Sequence, residues 1–310
     1  MAGALLATQY TFAQTIINRD GQIEAMVKQV SSDSLKSYIH KLVAFGTRST
    51  LSSTTDKKRG IGAAREWVVQ KFNEFGRGSG GRLTAYVDTV TLQPDGRRVN
   101  KPVNLGNAMA VLKGTDPNDT RVYIIGAHLD SRVTDVMNST ADAPGANDDG
   151  SGVAGVIECA RILSKHTFPA TIVFVAFSGE EQGLLGATHL ANQAIAKSWN
   201  VDAVLNNDMI GSNHSNETDI IDNTRVRIFS EGLPAFEMDK KAVGIRSMGG
   251  ENDGKSRQLA RYIKEVGERY VDNMEVVLIY RNDRFLRGGD HTPFVQKGMT
   301  AVRITEMNEN

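Results

Sequence analysis

The seven residues Thr171 to Phe177 (Thr-Ile-Val-Phe-Val-Ala-Phe) carry no charge and no turn former, and they run straight into Ser178-Gly179-Glu180-Glu181. A strand that presents apolar side chains to both of its faces has to be covered on both, which places it inside a sheet layered by helices. The rest of the chain fits that demand. Helical spacing of apolar residues predicts helices over 34–45 (Leu35, Tyr38, Ile39, Leu42, Val43), 61–75, 152–165, 184–196 and 254–271. Runs of β-formers predict strands over 83–92, 107–112, 122–126, 171–177, 201–205, 225–229, 275–280 and 300–304, with Gly76 to Gly81 as a turn. Strands alternating with amphipathic helices imply an α/β protein, a three-layer α/β/α sandwich around a mixed, largely parallel sheet. At 310 residues, 40% of them hydrophobic, the chain can bury such a core. There is no internal repeat or low-complexity linker, so 31–310 reads as one domain behind an N-terminal segment, 1–30.

Charge and cysteine content remove several classes of partner. Lys+Arg and Asp+Glu both total 36, which leaves no net field to attract nucleic acid or an anionic membrane. No apolar run approaches the roughly 20 residues that span a bilayer. The single cysteine, Cys159, falls among Val153, Val156, Ile157 and Ala160 and reads as a small buried hydrophobe rather than a nucleophile. Met1 to Gln14 is a short apolar stretch ending in Thr11-Phe12-Ala13. It resembles the end of a secretory signal without its basic start, so a secreted or periplasmic location is expected, with the cytoplasm as the alternative.

In an open sheet of this kind ligands gather beyond the carboxyl ends of the strands, and acids and histidines are concentrated there. Gly126-Ala127-His128-Leu129-Asp130 follows the strand over 122–126. Two residues apart in extended chain, His128 and Asp130 point the same way, so the carboxylate could orient a metal-bound imidazole; alone, the pair equally fits a structural histidine. Gly145-Ala146-Asn147-Asp148-Asp149-Gly150 precedes a helix, where Asp149 is a candidate cap and Asp148 a candidate ligand in a tight loop. Glu180 and Glu181 follow six wholly apolar residues, so a solvated charge run is a poor reading; one can bind metal while the other takes a proton from water. Asn206-Asn207-Asp208 ends the strand over 201–205, and Gly289-Asp290-His291-Thr292-Pro293 opens a helical turn after the strand over 275–280. Two imidazoles and several carboxylates without thiolate suit catalytic Zn²⁺. A pair of zinc ions roughly 3.5–4 Å apart needs one bridging carboxylate and two terminal ligands each, a count that five residues meet.

In this order the motifs resemble the zinc exopeptidases of metallopeptidase family twenty-eight, over a stretch from about Leu42 to Glu306. That family includes leucyl aminopeptidases, aminopeptidase Y, glutamate carboxypeptidases and glutaminyl cyclases. The resemblance implies two zinc ions per chain and a peptide substrate. By the same resemblance Asp148 bridges the metals, His128 pairs with Glu181, and His291 pairs with Asp208. Glu180 becomes the general base and later the acid, Asp130 orients His128, and the peptide linkage around Asp148 is cis. Tyr280 and Arg287 are the candidates for stabilising an oxyanion. Such relatives continue well past the last strand, whereas this sequence stops at Asn308-Glu309-Asn310, as a piece truncated at its carboxyl end would. An aminopeptidase is expected. A glutamate-type carboxypeptidase should need a basic cluster for a terminal carboxylate, and none is evident in the sequence. A single-zinc glutaminyl cyclase shares the five ligand positions, and a non-enzymatic binding module would leave Glu180 without a purpose.

Overall fold

The computed structural model describes residues 19–214, 219–231, 240–281 and 288–308. The Met1 to Gln14 stretch and Arg287 lie outside these residues. Eight strands form one sheet: β1 (Leu83–Leu92), β2 (Val103–Leu112), β3 (Arg121–His128), β4 (Thr171–Phe177), β5 (Asn200–Asn207), β6 (Arg225–Phe229), β7 (Glu275–Ile279) and β8 (Ala301–Glu306), in the order β1-β2-β4-β3-β5-β8-β6-β7. β4, β3, β5 and β8 are mutually parallel, β1 and β2 are antiparallel to their neighbours, and β6 runs against β8. The sheet is mixed and largely parallel, as the sequence implies.

β4 carries the argument from its apolar run directly into packing. Phe174 and Ala176 enter one cluster, with Leu42, Ile61, Val68, Phe72, Val153 and Ile157 from α2 (Ser32–Val43), α3 (Gly60–Gly76) and α4 (Gly150–Leu163). Val173, Val175 and Phe177 enter the other, with Leu190 and Ala191 of α5 (Leu185–Ala196) and Phe294 of α8 (Thr292–Gln296). Burying each such side chain is worth about 1.5–3 kcal/mol, so the strand is held from both faces. A third cluster joins Ala260 of α7 (Lys255–Tyr270) to Ile228, Val276 and Val302 of β6, β7 and β8. Cys159 packs half-buried against the first cluster, where burial pushes its thiol up to about 11.

The structure adds to the sequence reading at two places. The described part of the N-terminal segment holds a helix, α1 (Gly21–Val27). Asp20 N–H donates to the Tyr270 hydroxyl at 2.7 Å, and Gln29 O accepts from Arg161 Nη2 at 2.6 Å. A further helix, α6 (Lys240–Ser247), went unread because its segment lacks helical apolar spacing. β7 is parallel to β6 and so runs opposite to β8, which means His291 does not sit at the carboxyl end of one of the parallel strands. It arrives instead at the first turn of α8, on the return path to β8.

Candidate active site

The parallel strands β3, β4 and β5 end on the same edge of the sheet, and each delivers acids there. His128, Asp148, Glu180, Glu181 and Asp208 line one cleft of about 480 Å³, together with Arg98, Arg132, Leu184, Met209 and Arg303. His128 Nε2 lies 2.9 Å from Asp148 Oδ1 and 3.9 Å from Asp208 Oδ1. The Asp148 side chain is the open one, 44% exposed, whereas His128 and Asp208 are buried. Glu181 Oε2 accepts from Arg132 Nε at 2.6 Å. The carboxylate beside His128, after Asp148, is therefore Asp208, where the family resemblance had implied Glu181. His291 is fully buried, two residues beyond Gly289. A Cβ at Gly289 would lie 3.1 Å from Asp208 Oδ2, so the His291 segment is pressed against the same site.

Asp149 explains why the ligand loop has its shape. Oδ1 accepts from Gly152 N–H at 2.9 Å, capping α4, and from Met209 N–H at 3.1 Å; Oδ2 accepts from His128 N–H at 3.1 Å. One buried carboxylate thus ties β3, α4 and the loop after β5 together. Oxygens of Asp149 and Asp208 and a nitrogen of His128 lie within 4.8 Å of one another. With its oxygens committed to three main-chain donors, Asp149 is a poor ligand, and Asp148 is the better one. The Asp148-Asp149 peptide is cis, as the resemblance implied.

Asp130 does more than the sequence reading gave it. His128 Nδ1 is 3.0 Å from the main-chain oxygen of Asp130 and 3.7 Å from its carboxylate, so the close partner that can fix the ring is the carbonyl. The carboxylate instead accepts from the N–H groups of Glu180 and Glu181, each at 3.2 Å, and from Thr50 Oγ1 at 3.0 Å. It positions the loop after β4. Positive φ at Gly179 (80°) and Gly183 (114°) lets that loop turn sharply around Glu180 and Glu181.

These acids crowd each other. Burial, with repulsion from Asp208 and Glu181 opposed by His128, pushes Glu180 up to about 8. Burial also raises Glu181, Asp149 and Asp290. For His128 burial acts downward, but Asp130 and Asp148 outweigh it, so its net direction is up. Where burial and mutual repulsion disfavour carboxylate charge while the acids favour a charged histidine, added positive charge would relieve the site. The donor set, imidazole and carboxylate without thiolate, fits zinc.

Three contributors were not singled out in the sequence. Arg48 is fully buried and donates to four main-chain carbonyls, Leu129 (2.7 Å), Leu42 (3.2 Å), Pro144 (2.7 Å) and Gly145 (2.8 Å), clamping the His128 and Asp148 loops; burial lowers it to about 10. Arg303 Nε stands 3.1 Å from Asp208 Oδ2. Asp290 is fully buried, and neither carboxyl oxygen has a hydrogen-bond partner among the described residues. Of these only Asp290 had a sequence signal, its place beside His291. Tyr280 lies under the Arg257 guanidinium, 4.9 Å from its ring centre, and does not line the cleft.

Comparison with known proteins agrees with this geometry. A probable zinc metalloprotease of Leptosphaeria maculans is 45% identical over 289 residues, covering 93% of this chain and 66% of the relative; the chain thus spans just under two thirds of that protein. The structure of the Legionella pneumophila LapA aminopeptidase superposes with a TM-score of 0.65 at 20% identity, covering 99% of this chain and 68% of the other. A glutaminyl cyclase of Porphyromonas gingivalis gives a TM-score of 0.59 at 20% identity, covering 91% and 86%; at such identities the likeness is one of fold. The model of Peptidase family M28 matches residues 107–310, a span that holds His128 and the cleft's carboxylates, and the chain belongs to that family of zinc metallopeptidases.

Proposed function

We propose that this chain acts as a two-zinc exopeptidase that removes residues from the amino end of peptides. The observation that supports this most directly is the meeting of His128, Asp148, Glu180, Glu181 and Asp208 around one cleft, with buried His291 two residues beyond Gly289, where a Cβ would lie 3.1 Å from Asp208 Oδ2. His128 and Asp208 would hold one zinc, His291 and Glu181 the other, and Asp148 both. Zinc held there supplies a Lewis acid that polarises the scissile carbonyl and makes water acidic.

The chain's own groups do the rest. Glu180 is not needed as a ligand, and its carboxylate faces the cleft. It accepts the proton of the attacking water and returns it to the leaving amine. Asp130 holds the Glu180 and Glu181 main chain in place during both transfers. Recognition of a free α-amino group in the cleft would limit attack to a chain end.

One observation favours a second reading, the glutamate-type carboxypeptidase. Arg98, Arg132 and Arg303, distant in sequence, all line the cleft, which is the basic cluster that the sequence did not reveal. Two of them already serve the site's own acids: Arg132 Nε is bonded to Glu181 and Arg303 Nε is beside Asp208. Aminoacyl nitroanilides, acidic dipeptides and glutaminyl peptides assayed side by side separate the readings. Turnover of the nitroanilides is expected. Turnover of the acidic dipeptides alone would favour the carboxypeptidase, and cyclisation of glutaminyl peptides alone would make the chain an acyltransferase.

A further inference from the structure

β8 ends at Glu306, a buried carboxylate whose two oxygens serve two different loops. Oε1 accepts from Asn147 Nδ2 at 2.8 Å, and Oε2 accepts from the main-chain N–H of Ser212 at 2.6 Å. Asn147 immediately precedes Asp148, and Ser212 lies in the loop that begins with Asp208. The two loops also bond directly. Asn147 Oδ1 accepts from Gly211 N–H at 2.9 Å, and Ser151 Oγ accepts from Ile210 N–H at 2.9 Å while donating to Asn147 O at 2.7 Å. The approach is too close for any side chain at Gly211, where a Cβ would lie 2.7 Å from Ser151 Cβ and 3.0 Å from Asn147 Oδ1. From below, Met209 O accepts from Glu306 N–H at 2.9 Å and from Thr305 Oγ1 at 3.0 Å.

We infer that Glu306, acting through Asn147 and Ser212, is a positioning residue that fixes the spacing of Asp148 and Asp208 and thereby sets the affinity for zinc. The inference rests on the proposed reading of those two aspartates as ligands; Glu306 and Asn147 do not line the cleft. Without a cation, two neighbouring carboxylates repel, and loops that carry them drift apart unless their main chains are tied. A metal site gains affinity when that cost is met in the fold rather than at binding, and polar groups that hold ligands in place are typically worth about 10–100-fold in metal affinity. The Glu306 bridge is such a tie. It joins the ends of β8, the loop after β5 and the loop before α4 at one buried point.

The direction of the Asn147–Glu306 bond can be reversed to test this. Glu306→Gln leaves one oxygen where two N–H groups need acceptors, and Asn147→Asp sets two carboxylates face to face. In the double variant the introduced amide donates to the introduced carboxylate, while its oxygen still accepts from Ser212. Zinc dissociation constants are measured on metal-free protein by competition with a chromogenic chelator, with circular dichroism as the check on folding. Each single variant is expected to bind zinc about 10–100-fold more weakly, and the double variant to return to within about threefold of the parent chain. Should either single variant fail to fold, Asn147→Ala removes the same bond without adding a charge and is expected to weaken zinc binding in the same direction. Parent-like affinity in the variants lacking the bond, or a double variant no tighter than the singles, would overturn the inference. A parent chain that binds no zinc would instead remove the reading on which it rests.

Discussion

The central strands have two ends, and charge is handled differently at each. At the amino end of β3, Arg121 pairs with Asp119 at 2.7 Å, the Tyr123 hydroxyl donates to Asp202 at 2.6 Å, and Asn200 Nδ2 donates to Thr120 Oγ1 at 3.2 Å. Every one of these groups is near water and has its partner. At the carboxyl end of the same strands, His128 and Asp208 are buried, Glu180 is half-buried, acids outnumber cations, and Glu180 is pushed up to about 8. The sheet itself does not require this. Exposed groups, each with a partner, show what an ordinary ending looks like, so the buried excess of acid at the other edge marks a place suited to an added cation.

The comparison breaks most sharply at Glu180. Glu180→Gln is expected to lower kcat by about 10²–10⁴-fold, the usual contribution of a general base, while elemental analysis finds the parent's zinc content; loss of zinc would make Glu180 a ligand. Next comes Asp148→Ala, which removes the carboxylate proposed to be shared by two metals. Zinc per chain should fall and turnover with it, and unchanged zinc would rule out the bridge. Arg48→Met should cost roughly 2–4 kcal/mol in urea unfolding, because buried carbonyls lose their donors, and a parent-like midpoint would show that the two ligand loops hold without it. Least affected should be Arg121→Ala at the opposite edge, where kcat/KM is expected to equal that of the parent. A changed kcat/KM there would mean that the two ends are coupled.

Much of this was legible in the sequence because it depends on local pattern. The apolar run of β4 predicted cover on both faces, and the motifs around His128, Asp148, Glu180 and Asp208 named the residues that share the cleft. The rest depends on who meets whom. Arg48 reads as the stop of a helix, yet it crosses the fold to four carbonyls; no periodicity announces such a contact. Arg98, Arg132 and Arg303 are unremarkable apart and form a cluster only when a loop, the end of β3 and β8 converge. The resemblance set Glu181 beside His128, whereas Asp208 lies there; no residue pattern along the chain says which of the two is nearer. Asp149 looked like a helix cap and is one, but its bonds to His128 and Met209 come from the turn of the loop rather than from any residue pattern.

Two cations at the carboxyl edge are what the proposed chemistry requires. Zinc per chain, measured by elemental analysis on protein loaded with zinc and dialysed free of excess, should come to two. One equivalent would contradict the bridging role of Asp148, and none would contradict the reading of this edge as a metal site at all.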